Sequence, residues 1–131
     1  MSEARTLLLL DSIAAIEPAA VGAVIVSGSH GGASAARYAL SIPRPPHAVF
    51  FNDAGVGKDR AGVIALDMLQ GIDAACAVYG HQSARIGDAA DGLEHGVITE
   101  VNRAAARLGL RAGMRVAEAV RSLGARSGRS A

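Results

Sequence analysis

The sequence predicts an α/β fold, a small and mostly parallel sheet of about four strands carrying packed helices, and two observations support that expectation. Short apolar runs recur between Gly-rich and Pro-rich turns, and they are continuous, not alternating, as strands covered on both faces should be. Between the later runs, apolar residues recur at helical spacing. Strand and helix then alternate in the order that right-handed crossovers of a parallel sheet require.

Taken in order, Thr6 to Leu10 (T-L-L-L-L) is the first strand. Only about a dozen residues, Pro18 among them, separate it from the second strand, Ala23 to Val26, which is near the minimum for a crossover. The first strand is therefore expected at an edge, or antiparallel. A helix from about Gly32 to Leu40 follows and stops short of Pro43, because proline disfavours helical geometry in the residue before it. The third strand is Ala48 to Phe51. After Lys58, the residues Ala61, Ile64, Ala65, Met68 and Leu69 fall at i, i+3, i+4, i+7 and i+8, one face of a helix that Gly71 ends. Ala74 to Tyr79 is the fourth strand, and its Cys76 reads as a small buried hydrophobe. Asp91 and Glu94 stand three apart like a capping box, and Leu93, Val97, Val101, Ala104, Ala105 and Leu108 predict a single helix closed by Gly109. A last helix is expected from Met114 to Leu123. Residues 1–121 are thus expected to form one domain, a three-layer α/β/α sandwich of Rossmann-like or flavodoxin-like kind. Residues 122–131, rich in Gly, Ser and Arg, are expected to be a flexible basic tail.

Composition narrows the functions. Half of the 131 residues are apolar, Trp is absent and Phe and Tyr total four, so the core must be built from Ala, Val, Ile and Leu. Such small side chains suit close packing of subunits, and a homo-oligomer or a subunit of a larger assembly is expected. The net charge is +1 with both signs interspersed, which excludes the concentrated basic face that nucleic acid demands. No run approaches the ~20 apolar residues of a membrane span, and the first residues lack a signal-peptide pattern, so a cytoplasmic protein is expected. Of thirteen cationic side chains only Lys58 is lysine, a flexible point charge whose pKa moves readily on desolvation.

In a parallel sheet all strands end on one side, so the loops that follow them converge. Those loops are S-G-S-H-G-G (27–32), N-D-A-G-V-G-K-D (52–59) and G-H-Q-S-A-R-I-G-D (80–88), and they hold most of the chemistry-bearing groups. The second is not a phosphate loop, because Asn52 stands where the first Gly of that motif belongs and Asp59 replaces its hydroxyl. Catalytic candidates are Ser29 as nucleophile or substrate hydrogen-bond donor, its neighbour His30, Lys58 or His81 from another loop as base, since adjacent residues rarely pair, and Asp53 to orient that base or act as one. Gly31 and Gly32 open a helix whose amides suit an oxyanion or carboxylate, and Asn52, Gly57 and Ser83 are further substrate-binding candidates. Arg85 offers forked donors to a carboxylate, and Asp88 either holds Arg85 or caps the next helix. His47 and His95 read as ordinary packing or surface residues. With no HxH or HExxH spacing, no metal is assigned, and no cofactor, since S-G-S-H-G-G departs from G-x-G-x-x-G. The function expected is an enzyme acting on a small polar or anionic carbonyl compound, foremost hydrolysis of an amide-type C–N bond. Alternatives are a non-catalytic carboxylate-binding module and a lyase or isomerase working by proton abstraction.

Overall fold

The computed structural model describes residues 5–127, and within them it is an α/β structure with one six-stranded sheet and five α-helices. The elements run β1 (Arg5–Leu10), β2 (Val24–His30), α1 (Ala33–Leu40), β3 (Ala48–Asn52), α2 (Ala65–Gln70), β4 (Ala75–Tyr79) and α3 (Ala89–His95). There follow β5 (Ile98–Val101), α4 (Arg103–Arg107), α5 (Val116–Ser122) and β6 (Ala125–Ser127). Strand order across the sheet is β5-β4-β3-β2-β1-β6, and only the β4–β5 pair is antiparallel.

Strands β1 to β4 are laid down side by side in one direction. Right-handed crossovers then put each connection on the same face. The first connection manages this with two single 3-10 turns, Ile13–Ala15 and Pro18–Ala20, and the next two with α1 and α2. Alternation along the strands divides the core accordingly. Ile25, Phe51, Cys76 and Val78 pack with Ile13, Ala36 and Leu69 on that face. Val24, Val26, Phe50 and Tyr79 pack with Ala105, Val116 and Val120 of α4 and α5 on the other. Burial raises the pKa of the Cys76 thiol, as its packing role implies. No helix among the described residues is long and apolar enough to cross a membrane.

The sheet has six strands, not about four, and both extra strands lie where the sequence reads otherwise. The long helix expected from Asp91 does not form. Asp88 caps α3, the chain extends at Gly96 (φ −60°, ψ 141°), and residues 98–101 return as β5 beside β4. Asn102 then starts α4. The first strand is neither an edge nor antiparallel, because β6 adds parallel to its outer side. The expected tail begins differently too, since Ser122 closes α5 and Ala125–Ser127 form β6, while residues 128–131 lie outside the described residues. β6 needs only main-chain partners, so its Ala-Arg-Ser sequence carries no apolar signal.

Two buried side chains fasten the layers. The Tyr79 hydroxyl donates to the Ser27 carbonyl at 2.6 Å, and Gly92 of α3 leaves it room, since a Cβ there would stand 2.7 Å from the Tyr79 oxygen. The Asn102 Oδ1 accepts from the Cys76 and Ala105 amides at 3.1 and 2.9 Å. Its Nδ2 donates to the Leu66 and Ala74 carbonyls at 3.2 and 2.8 Å.

Candidate functional site

The C-terminal ends of β1 to β4 share one edge of the sheet, and antiparallel β5 begins there. Asn52, the last residue of β3, is buried and engaged at both ends. Its Nδ2 donates to the Ala84 carbonyl at 3.0 Å and its Oδ1 accepts from the Ala54 amide at 2.8 Å. It ties the loop after β4 to the loop after β3, so its polar atoms serve the scaffold and not a substrate.

Asp53 follows and gathers donors from three segments. Its Oδ1 accepts from the amides of Gly55 (2.8 Å) and His81 (3.0 Å) and lies 3.2 Å from His81 Nδ1; its Oδ2 accepts from Thr99 Oγ1 at 3.1 Å. The residue is 5% exposed. Burial would raise its pKa, but the Gly55 and His81 amides, the imidazole and the Thr99 hydroxyl together outweigh it and hold the carboxyl below its ordinary value. A carboxylate can only accept, so His81 presents Nδ1–H to it, and the neutral ring is left with a lone pair on Nε2. The His81 side chain is 49% exposed and lies over Gly55, where a Cβ would be 3.5 Å from its Cε1.

The same shift predicts an acid response. A depressed carboxylate pKa contributes stability that is present above the unfolded-state value and lost as pH falls through the folded-state value. Asp53→Asn should therefore flatten the decline in unfolding free energy below about pH 4, measured by urea titration at a series of pH values. An unchanged slope would mean that the donors around Asp53 are not formed in solution.

The turn carrying Lys58 is bent in an uncommon way. Ala54, Val56, Asp59 and Arg60 adopt positive φ (49°, 71°, 55° and 60°), alongside Gly55 and Gly57 at 75°. For a β-branched residue such as Val56 this is costly, roughly 1–3 kcal/mol. Val56 is held there by its amide on the Asp53 carbonyl (2.6 Å) and its carbonyl on the Gly62 amide (2.7 Å). Lys58 is exposed on this turn and makes no ion pair among the described residues, while Arg60 reaches Glu100 of β5 at 2.5 Å.

The other candidates are placed elsewhere or otherwise engaged. Ser29 Oγ accepts from the Ile13 amide at 3.0 Å, and Ser29 and His30 line a cavity against α1 that Asp53 and His81 do not line. The Gly31 amide is bound to the Asn52 carbonyl at 3.0 Å, so it is not offered to an oxyanion. Gly32 caps α1 and makes room for the His30 ring, whose Nε2 would be 2.8 Å from a Cβ there. Ser83 Oγ donates to the Gly80 carbonyl (2.7 Å) and accepts from the Val97 amide (3.0 Å), fastening the loop to the start of β5. Of the two roles open to Asp88, it takes the cap, accepting from the Asp91 amide at 3.0 Å. The Arg85 side chain is exposed, and its amide donates to Asp91 Oδ2 at 2.7 Å. His47 lies at the opposite edge, beside Asp73 and Arg107, with its pKa lowered by burial and then by Arg5. His95 pairs with Asp91 one turn away. No cluster of three or more metal-ligating side chains occurs among the described residues.

Of the predicted residues, then, the structure joins Asp53 and His81 directly. Thr99 was not anticipated. Its signal was the β-branched run Val97-Ile98-Thr99 after Gly96, which favours a strand over a helix face. In comparisons with protein-family models, curated proteins and solved structures, the chain matches none.

Proposed function

We propose that the chain is an enzyme that hydrolyses an amide-type C–N bond in a small polar compound, with His81 as general base and Asp53 as the residue that positions it. The observation that carries this reading is the shared Asp53 Oδ1, which receives both the amide and the ring nitrogen of His81 while Thr99 secures the other oxygen. One carboxylate so fixes the tautomer and the tilt of a half-exposed imidazole. Water is the nucleophile in this reading, because Ser29 is turned to the Ile13 amide beside a different cavity. His81 Nε2 takes a proton as water oxygen adds to the carbonyl carbon. The imidazolium then returns that proton to the departing nitrogen, giving a carboxylic acid and an amine. Lys58 is the cation nearest in sequence to Asp53 on the strained turn, and its role is to attract an acidic substrate. The scaffold is read as a three-layer α/β/α sandwich of Rossmann-like or flavodoxin-like kind, a reading supported by the apolar clusters on opposite faces of the sheet.

The test is amine release across a panel of small carboxamides, ureides and lactams. For the compound turned over fastest, His81→Gln and Asp53→Asn should each lower kcat at least about a hundredfold, whereas Ser29→Ala should leave most of it. A panel without turnover, or an active His81→Gln variant, would refute the proposal.

A further inference from the structure

We propose a second site, separate from Asp53 and His81: the cavity between the end of β2, the turn after β1 and α1 binds a small carboxylate with a short apolar tail. The cavity is about 170 Å³ and is lined by Ser12, Ile13, Ser29, His30, Ser34, Ala35 and Tyr38. Ligand pockets for drug-sized molecules run to ~300–1,000 Å³, so this one suits only a handful of non-hydrogen atoms.

Its chemistry follows from how the hydroxyls are already engaged. Ser29 Oγ accepts from the Ile13 amide at 3.0 Å and Ser12 Oγ accepts from the Ala14 amide at 3.2 Å. An oxygen with a lone pair on an N–H turns its own proton elsewhere, so both present donors. Ser34 and Tyr38, four apart on α1, share a helix face, and neither their hydroxyls nor the His30 ring bonds another described residue. No acidic side chain lines the cavity, and Ile13 and Ala35 supply its apolar wall. Donors gathered from three segments around a space without an acid ask for a ligand rich in acceptor oxygens. A carboxylate meets that need, and a methyl or methylene faces Ile13 and Ala35.

Acetate is the probe, titrated into isotopically labelled protein and followed by amide chemical shifts, with acetamide as the uncharged match in size. Acetate should saturate shifts at Ile13, Ser29, Ser34 and Ala35, and acetamide should bind several-fold more weakly. The double variant Ser34→Ala with Tyr38→Phe loses hydroxyls that hold no protein partner, so it should fold unchanged by circular dichroism and weaken acetate at least about fivefold. His81→Gln should bind acetate as the parent does, which keeps this result independent of the proposed hydrolysis. Shifts that never saturate, that centre on Lys58 or Arg85, or that persist in the double variant overturn the assignment.

Discussion

Asn102→Leu should lower the unfolding free energy by about 4 kcal/mol, a large part of the roughly 5–15 kcal/mol of a whole domain. Asn102 is 7% exposed, and its side chain closes four hydrogen bonds, to the amides of Cys76 and Ala105 and the carbonyls of Leu66 and Ala74. Leucine fills similar space but removes a partner from each of these groups, at roughly 1–3 kcal/mol for every one left unpaired, while the Leu66 carbonyl keeps its bond within α2 and apolar burial offsets part of the loss. The junction loosened joins β4, the first turn of α2 and the start of α4. Urea unfolding should show the loss, and a change under about 1 kcal/mol would mean that water restores the partners.

Asn102→Asp sharpens the test through its sign. The Oδ1 acceptor survives, but an oxygen replaces the amide and faces two carbonyls, so the folded state favours the protonated acid and raises its pKa. The variant should be weakest, relative to the parent, above that raised value. It should recover as pH falls toward the unfolded carboxylate value, near ~3.9. This trend opposes that of Asp53, so the difference between variant and parent isolates it.

Much of this architecture was legible because burial on both faces leaves a continuous apolar run, as in Val24–Val26, Ala48–Phe51 and Ala75–Tyr79. What escaped was short or held by backbone. Val97, Val101, Ala104 and Leu108 fit a helical period as well as they fit a four-residue strand followed by a helix, and only Gly96 and the β-branched run distinguish the two. β6 is bound through main-chain groups that composition does not encode. The site divides in the same way. Strand ends bring Asp53 and His81 to one edge, as parallel topology requires, but proximity at an edge does not fix which face a side chain takes. Ser29 and His30 leave β2 toward α1, and Thr99 arrives on a strand that periodicity concealed. Gly31, Gly32 and Gly57 are substrate-binding candidates in the sequence, but at Gly28, Gly32 and Gly92 the missing side chain makes room for the protein itself.

Gly28 is the strongest case, and Gly28→Ala should cost about 3 kcal/mol or more. Its φ is not in the left-handed region, so conformation is not the obstacle. A Cβ would lie 2.5 Å from the Asp88 nitrogen, 2.6 Å from the Gly87 carbonyl carbon and 2.7 Å from the Asp11 oxygen, all backbone atoms that cannot rotate away. The loop after β4 must lift. That strains the Gly87 amide bond to the Gly28 carbonyl (2.7 Å) and the Ala89 amide bond to Asp11 Oδ1 (2.9 Å) at the start of α3. Gly87 provides the comparison, because its φ of +84° penalises alanine while its Cβ would meet open space. Gly87→Ala should cost roughly 1–2 kcal/mol from backbone strain alone. Hydrogen exchange separates the mechanisms: Gly28→Ala should speed exchange at Gly87 and Ala89 together, and Gly87→Ala should leave Ala89 protected. If the two substitutions cost the same and exchange alike, the loop does not rest on β2, and the support beneath Ala84 and His81 is not the one described.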